Sequence, residues 1–231
     1  MLITANCLAF ELGEKKVFIV SPIAGPIYHK LPAMGRMPSQ ADWGPNFGLF
    51  SALLAKNMNW IAFPYYATAN NAEVWGVVTH YDYYLPVSDF IQPVFGAGFD
   101  VTKIDVKNSS MGDTLVIAPW PKVGVRFKIS DNLHLIPYTA YLYQYIDTAG
   151  ASRNYQSALF GLQIQYHFNH FLMAKLKYYY RYTYNGRDGH DVKLRVHLLA
   201  NKNFGLTARF QYSKQIFDEF VSILVGPAII F

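Results

Sequence analysis

Between Phe171 and Tyr184 the sequence reads FLMAKLKYYYRYTY, a stretch that few folds can accommodate. Leu172, Ala174, Leu176, Tyr178, Tyr180, Tyr182 and Tyr184 stand at even positions, while the odd ones include Lys175, Lys177, Tyr179, Arg181 and Thr183. A β-strand sends successive side chains to opposite faces, so this segment has one apolar, tyrosine-tipped face and one basic face. A helix would mix the two sets around its axis.

The same period of two recurs along the chain. Candidate strands cover 17–28, 47–56, 60–68, 73–85, 90–102, 122–129, 133–145, 157–168, 171–184, 191–200, 204–213 and 220–231. In 17–28, Pro22 and Pro26 lack ladder donors and predict an irregular or edge-like strand. In 133–145, Tyr141, Tyr143 and Tyr145 end one face together. The irregular stretches 29–45, 103–121 and 146–156 are read as loops, the second because of Asn108, Ser109, Ser110, Gly112 and Pro119.

Residues are 52% hydrophobic and 17% aromatic, yet no run of about 18 apolar residues offers a spanning helix. Apolar content is dispersed by alternation instead. A soluble barrel would bury its apolar face inward and could not accept the Lys and Arg of the other face in its core. The inverse arrangement fits: apolar faces outward into lipid, basic faces inward, and Tyr141, Tyr143, Tyr145, Tyr178, Tyr180, Tyr182 and Tyr184 as a girdle at headgroup level. The expected fold is all-β, a single antiparallel up-and-down transmembrane barrel over 17–231. It has about twelve strands, in a range of roughly ten to fourteen.

Connections near Lys56, Pro86, Asp131, Asn169 and Lys202 are read as short, and those near Leu31, Ser110, Gly150, Gly186 and Ile216 as mostly longer, with Asn70 the exception. The terminal Phe231, preceded by alternating apolar residues, resembles the closing strand of bacterial outer-membrane barrels. That resemblance implies the outer membrane, with its lipid as one partner. The architecture is also similar to small twelve-stranded porins for acidic oligosaccharides, which line a narrow lumen with basic tracks, although none of their motifs is matched.

The alternation assigns Arg126, Lys128, Lys175, Lys177, Arg181, Lys193, Arg195 and Arg209 to an inward basic wall. Facing it, the earlier strands supply His80, Asp82 and Asp100 with glycines and Gln92. A charged low-dielectric tube concentrates counter-ions, so a channel preferring small anionic solutes is the leading expectation. A blander reading has these cations merely pairing with Asp82, Asp100 and loop acids. A second class is a barrel with a closed lumen that anchors a partner protein through 29–45, with Met34, Met37 and Trp43, or through 103–121.

Catalysis is not expected. Lipid-processing barrels carry Ser and His on adjacent outward positions, whereas no histidine is expected to face lipid here: His80, His134, His167 and His197 all fall inward. His80 and Asp82 share a face, which suits an oriented base but suits an ion pair better. His167 and His170 resemble half a metal site without further ligands. There is no phosphate-cradling loop, and no cofactor is implied. The net charge of +5 alternates with apolar residues rather than clustering, so nucleic acid is not an expected partner. The single Cys7 is incidental. Residues 1–16 are read as an N-terminal extension; LITANCLAF lacks the basic region of a leader, so Met1 is expected to begin a mature or trimmed chain.

Overall fold

A computed structural model of the protein describes residues 17–31, 40–55, 57–69, 72–106, 113–148, 151–168, 172–201, 203–214 and 219–231. They form β1 (Val17–Leu31), β2 (Gln40–Ala55), β3 (Met58–Ala69), β4 (Ala72–Tyr84), β5 (Ile91–Val106), β6 (Thr114–Ser130), β7 (Leu133–Thr148), β8 (Ala151–His167), β9 (Leu172–Tyr184), β10 (Gly189–Leu199), β11 (Phe204–Lys214) and β12 (Glu219–Ile230). Each strand pairs antiparallel with its sequence neighbours, and β1 pairs with β12 to close a barrel. Closure leaves no edge whose backbone groups go unpaired. At the seam, Phe18 and Phe231 exchange backbone hydrogen bonds of 3.2 and 2.9 Å, and their rings lie 6.2 Å apart.

Alternation produces the two faces. Along β7, His134, Ile136, Tyr138, Ala140, Leu142 and Gln144 are buried, while Tyr141 between them is 47% exposed. β9 alternates likewise, with Met173, Arg181 and Thr183 buried and Leu176, Tyr178 and Tyr182 exposed.

Several strands run further than their sequence predicts. β1 and β2 absorb most of 29–45, β5 and β6 most of 103–121, and β7 and β8 nearly all of 146–156. Proline explains the misreading in β6. Ala118, Pro119, Trp120 and Pro121 keep register with β5, whereas the ladder to β7 is interrupted between Ile117 and Lys122. A missing N–H costs bonds to one neighbour only, so the strand survives. Pro22, Pro26 and Pro227 thin the β1–β12 seam in the same manner. The expected length asymmetry between the rims narrows, although the two longest gaps between strands, 32–39 and 107–113, fall on the rim expected to carry the longer loops. β8 begins three positions after β7 ends, and the opposite rim has the longer 85–90 between β4 and β5. The extension 1–16 with Cys7, as well as Met34, Met37, 107–112 and His170, lie outside the described residues.

Inside the barrel, glycines sit directly opposite aromatic residues. Register pairs Gly48 with Tyr65, Tyr65 with Gly76, Gly98 with Trp120, and Tyr138 with Gly161. A Cβ on Gly161 would stand 2.2 Å from the Tyr138 ring, and one on Gly98 1.9 Å from the Trp120 ring. The rings therefore lie along the wall, over neighbouring positions that carry no side chain. Gly161→Val is expected to displace Tyr138 and destabilise the barrel by about 1–3 kcal/mol, as overpacking does. Urea unfolding in detergent measures it; an unchanged midpoint would mean that Tyr138 moves freely.

Candidate functional site

Side chains on non-adjacent strands of a closed barrel meet only through its lumen. Arg195 of β10 stacks on Phe50 of β2, its guanidinium carbon 4.2 Å from the ring centroid, and Arg209 of β11 lies 4.3 Å from Phe63 of β3. Lys177 of β9 reaches Trp120 of β6 at 5.2 Å and Tyr138 of β7 at 5.1 Å. Arg126 of β6 sits 5.0 Å above Tyr84 of β4. Lys193 lies 5.8 Å from the Tyr179 ring. Each such contact is worth about 0.5–2 kcal/mol, more as water is excluded.

Strand register concentrates these cations. Lys177 stands directly opposite Lys193, and Arg195 directly opposite both Lys175 and Arg209. Three consecutive strands, β9, β10 and β11, thus present like charges side by side, an arrangement that is unfavourable in itself. Acids relieve little of it. Asp82 is held by Lys122, with both side chains 2% exposed. Asp191 lies 3.5 Å from Lys193 and accepts a 3.0 Å hydrogen bond from Gln211, which in turn accepts one from Arg209. Asp100 accepts a 3.0 Å bond from Thr102. Among the described residues, Lys175, Lys177, Arg195 and Arg209 have no ion pair.

The lumen is layered above and below this tract. Towards the rim opposite the termini it is lined by neutral polar pairs: Asn46 with Ser222 at 3.1 Å, Ser157 with Thr183 at 3.0 Å, and Tyr65 with Thr102 at 2.9 Å. Towards the termini, Ile19, Phe50, Ile61, Met173, Leu224 and Ile230 belong to one packed apolar cluster drawn from opposite walls. A cavity of about 20 Å³ remains between cluster and cations. A second hollow, about 930 Å³, lies on the outer face among Pro22, Phe47, Pro64, Tyr66, Trp75 and Val225; it is almost wholly apolar, so convergent polar chemistry belongs to the lumen.

The remaining residues singled out in the sequence fall as follows. Arg181 is buried and donates to Gln144 at 3.1 Å, and Arg126 donates to Gln92 at 3.2 Å. Lys128 pairs with Asp131 at 2.7 Å, at the rim rather than in the tract. Asp82 and Asp100 do not neutralise the predicted cations: Asp82 takes Lys122, a residue the sequence reading left out. No hydrogen bond joins His80 to Asp82; the imidazole packs against Trp120, centroids 5.9 Å apart. Tyr141, Tyr178, Tyr182 and Tyr184 are exposed on the outer face, while Tyr143, Tyr145 and Tyr180 are half-buried.

The expectation that no histidine faces outward is overturned. β10 begins at Gly189, so His190 faces outward, its Nδ1 3.0 Å from the Tyr178 hydroxyl. Its register neighbours are Tyr180 and Lys214, so the Ser–His pattern of lipid-processing barrels still does not form there. The preceding turn is held by Asn185, at φ 55°, and by Asp188. Hydrogen bonds from the Tyr180 hydroxyl and the Thr183 N–H hold the Asp188 carboxyl below the usual carboxylate range. Sequence reasoning also missed the inward aromatics Phe50, Phe63, Tyr84, Trp120 and Tyr138. Parity alone could have found them, since each shares a face with an inward polar residue of its own strand.

A closed twelve-stranded sheet, apolar outside and polar at mid-lumen, defines the fold class of twelve-stranded outer-membrane β-barrels. Solved structures that share it include the following three. The translocator domain of autotransporter NalP from Neisseria meningitidis matches with a TM-score of 0.54 and 12% identity, over 94% of this chain and 89% of that one. NanC porin matches at 0.54 and 12%, over 92% and 98%. The transport unit of autotransporter AIDA-I from Escherichia coli matches at 0.52 and 8%, over 99% and 92%. Identities this low establish the fold. No protein-family model matches the chain, and no curated protein is similar to it in sequence.

Proposed function

We propose that the protein is an outer-membrane channel whose narrow lumen favours small anions. The observation that carries this reading is the like-charge register of Lys175, Lys177, Lys193, Arg195 and Arg209 on adjacent strands. Cations facing one another with too few acids to balance them are tolerated where mobile anions supply the missing charge, and a low-dielectric tube draws such anions in. The exposed Tyr141, Tyr178, Tyr182 and Tyr184 serve as the headgroup girdle on one rim, with Tyr143, Tyr145 and Tyr180 beside them. Outer-membrane lipid is then the surrounding partner, and the rim where β1 begins and β12 ends is periplasmic.

Single-channel recording in a planar bilayer with a salt gradient tests the proposal. The expected result is a small, steady, anion-selective current. Changing Lys175, Lys177 and Arg195 together to Gln leaves the barrel folded and lowers anion preference; unchanged selectivity would reduce these residues to solvation of the interior.

A second reading is a closed barrel that anchors a partner protein. The apolar cluster across the lumen and the small cavity above it favour this reading. Within 29–45, Trp43 would offer wall rather than loop to such a contact: it is an outward β2 residue, 60% exposed, packed 5.2 Å from the Tyr28 ring. A folded protein that passes no current and copurifies with one fixed partner would decide for the anchor.

A further inference from the structure

The small cavity between the cation tract and the apolar cluster has its own chemistry. Lys175 and Arg195 line it from adjacent strands, with His197, Gln165 and Asn59; Phe50 and Met173 are among its apolar neighbours. Its volume of about 20 Å³ is enough for one small particle such as a water molecule or a halide ion.

Two cations face this space, and no acid lines it among the described residues. Asp82 is engaged by Lys122 and Asp191 by Lys193. Arg195 Nε is buried without a hydrogen-bond partner, although a buried charged donor is costly to leave unmet. The face of the same guanidinium is occupied by Phe50, so only its edge can reach a ligand. Asn59 Oδ1 is also unpaired, while its Nδ2 lies 2.7 Å from the Tyr84 hydroxyl. A hydroxyl both donates and accepts. With the amide turned over, Oδ1 takes the Tyr84 proton and the amide N–H groups face the cavity as further donors.

We infer that this cavity is a binding site for a single halide-sized inorganic anion, held between the Lys175 ammonium and the Arg195 Nε–H. A water molecule could fill the space and accept a hydrogen bond, but it would leave both charges uncompensated. The site does not depend on conduction: a closed barrel needs the same counter-ion.

Bromide is the probe. Crystals of the full chain grown in sodium bromide should show an anomalous peak in the cavity, within hydrogen-bonding distance of Lys175 Nζ and Arg195 Nε, and Arg195→Gln should abolish it. Density without anomalous signal, a water molecule, would overturn the site. Should Arg195→Gln fail to fold, the wild-type protein decides through its unfolding temperature. Bromide should raise it saturably relative to gluconate, which is too large to enter; equal temperatures at equal ionic strength would count against the site. Anion-selective current with an empty cavity would spare the channel and remove this site, whereas bromide bound in a non-conducting barrel would do the reverse.

Discussion

Replacing Asp82 with alanine is expected to destabilise the barrel by about 3–5 kcal/mol, because it strands the Lys122 ammonium where both side chains are 2% exposed. There is no room for relief. Asp82 lies against Gly96, where an added Cβ would come within 2.6 Å of its Oδ1 and 3.0 Å of the Lys122 side chain, and Tyr138 closes over Lys122 at 5.1 Å. Removing both charges should cost far less. The double variant Asp82→Leu, Lys122→Met swaps the pair for apolar groups of similar bulk, and such replacements are often neutral or stabilising. Urea unfolding in lipid vesicles measures all three proteins. A single variant no weaker than the double one would show that water reaches the pair.

Arginine at Leu176 or Leu194 should be comparably damaging for the opposite reason. These leucines stand directly opposite each other on β9 and β10, 38% and 36% exposed on the outer face. In a bilayer each substitution is expected to cost about 2–4 kcal/mol if the position lies at the midplane, less nearer the interfaces. The informative contrast is one residue away: Lys175, Lys177, Lys193 and Arg195 already carry charge on the other face of the same strands. Normal folding of Leu176→Arg into vesicles would overturn the inside–outside assignment.

That assignment was legible in the sequence because a strand's period of two is local. Knowing that Leu176 faces one way settles Lys175 and Lys177 without reference to any other strand. The strand count was readable for the same reason, each hairpin being marked by its own turn residues. Strand limits were less legible. Pro119 and Pro121 look like loop residues, yet they sit inside β6 because their missing donors face only β7. Extending β10 by two residues likewise turned His190 from a loop residue into an outward-facing one.

What the sequence alone determined, then, was alternation: twelve two-faced strands, apolar on one side and cationic on the other. Only the closed barrel decided which inward side chains meet. Lys122 finds Asp82, Arg195 finds Phe50, Arg209 finds Phe63, and Lys175 is left beside Arg195 over a small cavity. The physical reason is that face is set by neighbouring backbone geometry. Contact across the lumen depends instead on register and closure, summed over strands far apart in the chain.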